Sequence, residues 1–295
     1  MKKVLSVLRL LRPHQWIKNG FVFLPMFFSG RILDTALWGE ALMVFLAFSL
    51  TASAVYCLND IRDVDFDRKH PKKRLRPVAS GDVSLAEAYA ILIILLAGAM
   101  AVCLFGLRVN SYGVCATVAL YFALNVAYCM KLKQYSIIDV FIVSFGFVLR
   151  LVAGGVGCGI WLSPWIVCLT FLLALFLAFA KRRDDVVLRE SEGLVARRNI
   201  VRYNLPFMNQ TLGIIGAVTM VSYMMYAVSP EVEERLGSRY VYATSVFVLA
   251  GILRYLQIAI VDLNCGSPTK VLLKDRFIQC CILCWTLLFV AIIYL

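Results

Sequence analysis

From position 59 to 81 the chain reads Asn-Asp-Ile-Arg-Asp-Val-Asp-Phe-Asp-Arg-Lys-His-Pro-Lys-Lys-Arg-Leu-Arg-Pro-Val-Ala-Ser-Gly. Four carboxylates, Asp60, Asp63, Asp65 and Asp67, fall within eight residues, and seven of the nine residues from Arg68 to Arg76 are basic or imidazole. If the preceding apolar stretch continues as a helix, turning by about 100° per residue, Asn59, Asp60, Asp63 and Asp67 share roughly one quadrant while Asp65 points away. Convergent hard oxygens of this kind suit Mg²⁺, which is usually held by a few carboxylates together with substrate phosphates and water. A solvated acidic helix end is the simpler alternative, and the dense carboxylate face followed at once by cations weighs against it. Pro71 and Pro77 stiffen the basic segment, and Gly81 permits a turn. Lys73, Arg74 and Arg76 then stand where phosphate oxygens would need cations, since guanidinium groups hold such oxygens in pairs.

A second charged run, Lys181-Arg182-Arg183-Asp184-Asp185, ends another apolar stretch. Here the cations lead and the acids follow, and the spacing of four places Lys181 and Asp185 on one helix face. A snorkelling basic helix end is the alternative. Arg150 and Arg254 lie inside apolar stretches, where an ionisable side chain marks a functional position by default. Asp139 stands near enough in sequence to pair with Arg150 or with Lys133. Gly155 and Gly159 form a GxxxG pair that, with Gly154 and Gly157, reads as helix packing. Cys280, Cys281 and Cys284 read as small apolar residues in preference to thiol ligands, because no His or carboxylate joins them.

These residues need elements to hold them, and the composition says which. Of the residues, 61% are hydrophobic and the mean hydropathy is +0.81, outside the range of water-soluble domains. Apolar stretches of spanning length recur at roughly 17–33, 38–58, 86–107, 110–130, 136–157, 162–180, 207–228, 240–261 and 277–295. The chain therefore reads as an all-α, polytopic membrane protein with nine transmembrane helices, in a single integral-membrane domain, 1–295. With the N-terminus inside, 24 of the 30 Lys and Arg residues fall on the cytoplasmic side, four (Arg31, Arg108, Arg235, Arg239) fall outside, and Arg150 and Arg254 fall within spans. That asymmetry is a positive-inside signal. It assigns the +12 net charge to orientation and anionic lipid, and leaves no soluble basic domain for nucleic acid. Met1, Lys2 and Lys3 lead into a short amphipathic stretch carrying Arg9 and Arg12, expected to lie along the inner surface and not to act as a cleaved signal.

Asn59-Asp60-x-x-Asp63-x-x-x-Asp67, followed by Pro, Arg-Pro and Gly, resembles the first aspartate-rich motif of the UbiA-type membrane prenyltransferase superfamily. That resemblance implies nine transmembrane helices around a central cavity, with Mg²⁺ and a diphosphate at its cytoplasmic mouth. Ordinary members carry a second Asp-x-x-x-Asp motif. Here Arg189 stands four residues after Asp185, and Lys181, Arg182 and Arg183 precede the acids. The segments 12–19, 67–77, 149–155, 181–185 and 268–276 are similar to those of the decaprenyl-phosphate phosphoribosyltransferase branch.

The resemblance to that branch implies transfer of 5-phosphoribose from phosphoribosyl pyrophosphate to a polyprenyl phosphate, with pyrophosphate released. It implies a multi-pass protein of the bacterial inner membrane with its site on the cytoplasmic face and membrane lipids as its surroundings. Asn59, Asp60, Asp63 and Asp67 would hold Mg²⁺ and pyrophosphate, and Lys73, Arg74 and Arg76 would bind donor phosphates. Lys18, Asn19, Lys133, Arg150, Lys181, Arg182 and Asp185 would complete the pocket and position the acceptor phosphate. The acceptor is already an anion, so no general base is needed, in keeping with only two histidines, His14 and His70. Two other readings stand beside this one. A UbiA-type prenyltransferase acting on an aromatic or quinone-precursor acceptor would need the second acidic motif. A non-enzymatic anion or lipid transporter would use Arg150 and Arg254, but the two halves show no clear internal repeat.

Overall fold

The computed structural model describes residues 2–69, 73–192, 200, 202–262 and 268–294, and no strand occurs among them. His70, Pro71 and Lys72 of the basic segment, and 263–267 of the last predicted cytoplasmic segment, lie outside the described residues. The helices are α1 (Lys2–Leu11), α2 (Leu24–Phe28), α3 (Thr35–Arg62), α4 (Val64–Lys69), α5 (Pro77–Ser80), α6 (Leu85–Ala101), α7 (Ser111–Met130), α8 (Ile138–Gly157), α9 (Pro164–Glu192), α10 (Leu205–Ala227), α11 (Pro230–Leu236), α12 (Ser245–Ile260), α13 (Pro268–Lys274) and α14 (Arg276–Tyr294). Among the described residues eight helical stretches are long and apolar enough to cross a membrane, built on α3, α6, α7, α8, α9, α10, α12 and α14.

The predicted first span, 17–33, takes another form. Pro13–Phe23 is a 3₁₀ helix of 11 residues, followed by the five residues of α2. A 3₁₀ helix rises about 2 Å per residue against about 1.5 Å for an α-helix, so the two pieces together rise about 30 Å, the thickness of a hydrocarbon core. The segment thus has the reach of a crossing without the residue count. Pro25 and Gly30, which interrupt the apolar run in sequence, fall in α2 and in the turn after it.

Local chemistry sets the helix ends. Asp34 caps α3 by accepting from the Ala36 N–H, Ser84 and Glu87 form a reciprocal capping box on α6, and Asn204 caps α10 through the Phe207 N–H. Gly81, at φ 86°, makes the left-handed turn between α5 and the capping box.

The chain forms two compact units: Met1–Lys133 with Phe145–Leu162, and Gln134–Ser144 with Ser163–Leu295. In the first, Val22, Val44, Phe48, Val114, Tyr121 and Ala153 form one apolar core. The 3₁₀ segment approaches α8 closely at Gly154, where an added Cβ would lie 2.1 Å from the Val22 carbonyl oxygen. Of the glycines read in sequence as packing positions, Gly154 admits the Val22 backbone and Gly157 the Val44 side chain, whereas Gly159 lies past the end of α8 in a left-handed turn at φ 62°. In the second unit Phe176, Phe179, Met208, Leu212, Tyr255 and Ile258 form the core.

Gly154→Ala is expected to lower the unfolding midpoint of the detergent-purified protein by the equivalent of about 1–3 kcal/mol, as overpacking does. Differential scanning fluorimetry checks this, and an unchanged midpoint would mean that the 3₁₀ segment is not seated on α8.

Candidate active site

The acidic motif is built by a helix break. α3 ends at Arg62, Asp63 leaves helical geometry at φ −97° and ψ 6°, and α4 restarts the helix at Val64. The expected single quadrant of oxygens is therefore split, because the extra turn at Asp63 redirects its side chain. Asp60 and Asp67 converge on one guanidinium: Arg76 Nη1 lies 3.2 Å from Asp60 Oδ1 and 2.7 Å from Asp67 Oδ2. Asp63 turns instead to Lys133, which donates to its Oδ1. Asn59 Oδ1 lies 3.7 Å from the Cys129 thiol, and Asp65 is exposed, as its helical phase predicts.

Asp60 and Asp67 are each only 1% exposed. Burying a carboxylate costs several kcal/mol unless a cation compensates it, and here guanidinium groups do so. Arg12 supplies a second one, its Nη2 at 2.6 Å from Asp60 Oδ1 while its guanidinium stacks 4.8 Å from the Tyr56 ring centroid. Burial raises the Asp67 carboxyl above its ordinary pKa, with Arg76 pulling the other way. The remaining oxygens, Asp60 Oδ2 and Asp67 Oδ1, are buried with no hydrogen-bond partner among the described residues. Two such orphaned hard oxygens fit a divalent cation. No group of three or more His, Cys, Asp or Glu side chains that would hold a metal by themselves occurs among the described residues, so a cation here would need ligands from a bound substrate.

Arg12 is the main residue that reading the motif missed, and a signal for it exists. Ser49, Ser53, Tyr56 and Asp60 recur on one face of α3, and this polar stripe seats the chain from Arg12 onward. Arg12 bonds Asp60, Trp16 Nε1 donates to Ser53 Oγ at 3.0 Å, and Asn19 Nδ2 donates to Ser49 Oγ at 3.0 Å. Trp16, Asn19 and Val22 are three apart, the spacing at which 3₁₀ side chains eclipse into a ridge.

That register also gives Arg150 and Asn19 their partners. Arg150, 7% exposed, donates from Nε to Asn19 Oδ1 at 2.7 Å, from Nη1 to the Gly146 carbonyl at 2.6 Å and from Nη2 to Tyr121 Oη at 2.9 Å. The rings of Phe48, Tyr121 and Phe147 surround its guanidinium. It lies level with Ser49, which is about 16 Å from Asp60 along the axis of α3 at about 1.5 Å per residue. Arg150 and Asn19 brace the 3₁₀ segment at that depth. Lys18 is half-buried beside them. Of the expected donor-phosphate residues, Arg76 sits in the acid pair, Lys73 lies over the Phe66 ring at 5.4 Å, and Arg74 is exposed.

The second charged run is described within its own unit. Arg182, 3% exposed, donates from Nε to Asp139 Oδ2 at 2.6 Å and approaches Asp185 at 3.6 Å. Asp139 therefore pairs with neither Arg150 nor Lys133, because a buried guanidinium about three helical turns before the end of α9 reaches it first. Lys181 is exposed. Arg189, at the position of the missing acid, donates to the carbonyls of Ile200 and Tyr203 at 2.7 and 3.0 Å and so ties the end of α9 to the chain entering α10. Arg254 donates to Asp275 Oδ2 from Nε and Nη2, so the two intramembrane arginines both have structural partners.

An all-helical chain of several membrane spans, with a buried carboxylate pair clasped by arginines where its first long span ends, is a membrane-embedded enzyme scaffold and not a soluble binding module. The chain belongs to the UbiA prenyltransferase family, whose sequence profile matches residues 22–258. It is 34% identical over 296 residues to a decaprenyl-phosphate phosphoribosyltransferase of Mycolicibacterium smegmatis, covering 96% of this chain and 90% of that protein. A protein of the same name from Corynebacterium glutamicum is 32% identical over 294 residues, covering 98% and 87%. Among solved structures, a UbiA homolog from Archaeoglobus fulgidus bound to DMAPP and Mg²⁺ superposes with a TM-score of 0.70 at 21% identity, over 98% of this chain and 99% of that one. The fold is thus the UbiA fold, and the protein is a multi-pass membrane protein.

Arg150→Met is expected to lower thermal stability by the equivalent of about 1–3 kcal/mol, since it orphans buried partners, while leaving the apparent affinity for phosphorylated ligands unchanged. A thermal shift assay beside a binding isotherm checks both. The Arg254–Asp275 pair predicts a pH effect. Arg254 and the Ile278 N–H hold the Asp275 carboxyl below its ordinary pKa, so its stabilisation is present above the unfolded-state value and is lost as pH falls through the folded one. Unfolding midpoints measured across acid pH should fall less steeply for Asp275→Asn than for the parent protein.

Proposed function

We propose that this protein transfers 5-phosphoribose from phosphoribosyl pyrophosphate to a polyprenyl phosphate, at the cytoplasmic face of a bacterial inner membrane. The observation that carries this reading is the similarity of 32–34% identity, over nearly the whole chain, to proteins named decaprenyl-phosphate phosphoribosyltransferase. The charge asymmetry of the loops supports the cytoplasmic placement. The second charged run favours it over transfer of a prenyl group from its diphosphate. Arg189 replaces an acid there and is committed to the carbonyls of Ile200 and Tyr203. The structural partners of Arg150 and Arg254 remove the main support for an anion transporter.

In the reaction an oxygen of the acceptor phosphate attacks C1 of the ribose, and the bond from C1 to the pyrophosphate oxygen breaks. Asp60 Oδ2 and Asp67 Oδ1 would hold Mg²⁺, with Asn59 close by, and the cation when bound would neutralise charge on the departing pyrophosphate. Arg76 bonds Asp60 Oδ1 and Asp67 Oδ2 together and so orients the pair, leaving the other oxygen of each acid for the ligand. Lys133 restrains Asp63 and becomes available to a phosphate oxygen when Asp63 turns toward the ligand. Lys73 and Arg74 lie on the short basic segment after α4 and would neutralise the outer phosphates of the donor. Lys18 in the first unit, and Lys181, Arg182 and Asp185 in the second, remain proposed substrate-binding residues, Arg182 by orienting Asp139 and Asp185. The acceptor arrives as an anion and leaves as a diester, so no side chain must remove a proton. The exposed position of His14 accords with that.

Membranes containing the protein, supplied in parallel with labelled phosphoribosyl pyrophosphate and labelled prenyl diphosphate, should incorporate only the first label into lipid. Incorporation of the second label alone would replace this reading with prenyl transfer. Asp60→Asn and Asp67→Asn should each reduce the rate about 100-fold or more, and Asp63→Ala about 10- to 100-fold, when initial rates are measured at saturating Mg²⁺. A folded Asp63→Ala protein with normal turnover would contradict the assignment of that acid.

A further inference from the structure

Arg183 carries the largest fully buried side chain among the described residues, at 1% exposed. Its Nε donates to Asn209 Oδ1 at 2.7 Å, and its Nη1 is buried with no hydrogen-bond partner among the described residues. No ion pair within 4.0 Å involves it among the described residues. The contrast with its neighbours is direct. Arg182 is neutralised by Asp139 and Asp185, and Arg189 spends its donors on two carbonyls. Among the described residues, Arg183 alone of the three is buried with one neutral side-chain partner and no carboxylate or backbone carbonyl bonded to it.

A buried cation without a counter-ion is unfavourable, and replacing it with an apolar side chain of similar size would relieve the cost. Its surroundings say what would compensate it. Arg183 follows the apolar part of α9, and Asn209 stands in the second turn of α10, so both lie where a span leaves the hydrocarbon. An anion reaching that depth must be compact and must offer several acceptor oxygens to one planar fork, which describes a phosphoryl group. The amide of Asn209 orients the guanidinium without repelling an anion, as a carboxylate in its place would.

We propose that Arg183 and Asn209 form a metal-independent subsite for a phosphate monoester. This rests on the phosphoribosyl-transfer reading, in which two ligands carry such a group: the polyprenyl phosphate acceptor and the 5-phosphate of the donor. The subsite binds the phosphate directly, in place of the metal-mediated grip that a second acidic motif would supply.

The test uses the full-length protein in nanodiscs, with decaprenyl phosphate and phosphoribosyl pyrophosphate titrated separately, the first in EDTA. Arg183→Met should weaken one of the two about 10- to 100-fold, the range expected for a lost hydrogen bond to a charged group, and Arg183→Lys should restore part of it. Loss confined to decaprenyl phosphate identifies the acceptor's phosphate, and loss confined to phosphoribosyl pyrophosphate identifies the donor's. The unfolding midpoint of ligand-free Arg183→Met should equal or exceed that of the parent. A merely structural arginine would give the opposite pattern, a lowered midpoint with both affinities intact, and that result would overturn the subsite. Asn209→Ala, which removes the orienting amide and keeps the cation, should weaken the same ligand by a smaller factor. Parent protein that binds neither ligand would instead refute the phosphoribosyl-transfer reading itself.

Discussion

Two carboxyl groups with almost no solvent of their own sit where the longest membrane helix of the first unit ends, and compensating their burial is the constraint that organises their surroundings. A carboxylate in a desolvated place is costly unless a cation lies beside it, and Asp60 and Asp67 are almost fully buried. Arg76 is brought in by the short turn before α5, and Arg12 by the joint between α1 and the 3₁₀ segment. Each cation must be held in turn. Arg12 rests on Tyr56, and the chain that follows it is fastened along the polar face of α3 and against Arg150. A demand for charge compensation at the membrane edge thus fixes backbone that runs to the bilayer's middle.

The second unit meets the same demand with the signs reversed. Its charged run is rich in guanidinium groups, and two of the three buried or half-buried ones have local work to do. Arg182 bridges two acids and Arg189 gathers the chain that enters α10. A run that in sequence looks like a uniform basic patch is, in three dimensions, a set of different commitments, with Arg183 the buried guanidinium that meets no acid among the described residues. For a family whose ordinary members place acids in this loop, that difference bears directly on which substrate the loop can receive.

Hydropathy and charge asymmetry made the eight long spans legible, because each is an unbroken apolar run of spanning length and the loops carry their own orientation signal. The acidic motif was legible as chemistry, yet its geometry was not. A continuous helix phase groups Asp63 with Asp60, and only the break at residue 63 sends it to Lys133. The 3₁₀ segment was hidden because a 3.6-residue period is the default reading of an apolar stretch. Asp139 pairs with Arg182, 43 residues away, and nothing in either local pattern announces a partner at that distance. Arg12 was readable in principle, through the spacing of Ser49, Ser53, Tyr56 and Asp60 along one helix face.

The three-residue ridge of Trp16, Asn19 and Val22 also fixes the length of the chain that bears it. In a helix of three residues per turn, adding or deleting one residue rotates everything downstream by about 120°. Trp16 would leave Ser53, Asn19 would leave Arg150, and Val22 would back into Gly154 from the wrong side. Side chains off this ridge are open to exchange, but the residue count of the stretch is not. Between Arg12 and Val22, descendants of this chain should vary by substitution alone, and a gap placed there in an alignment would signal a different way of closing the acidic site.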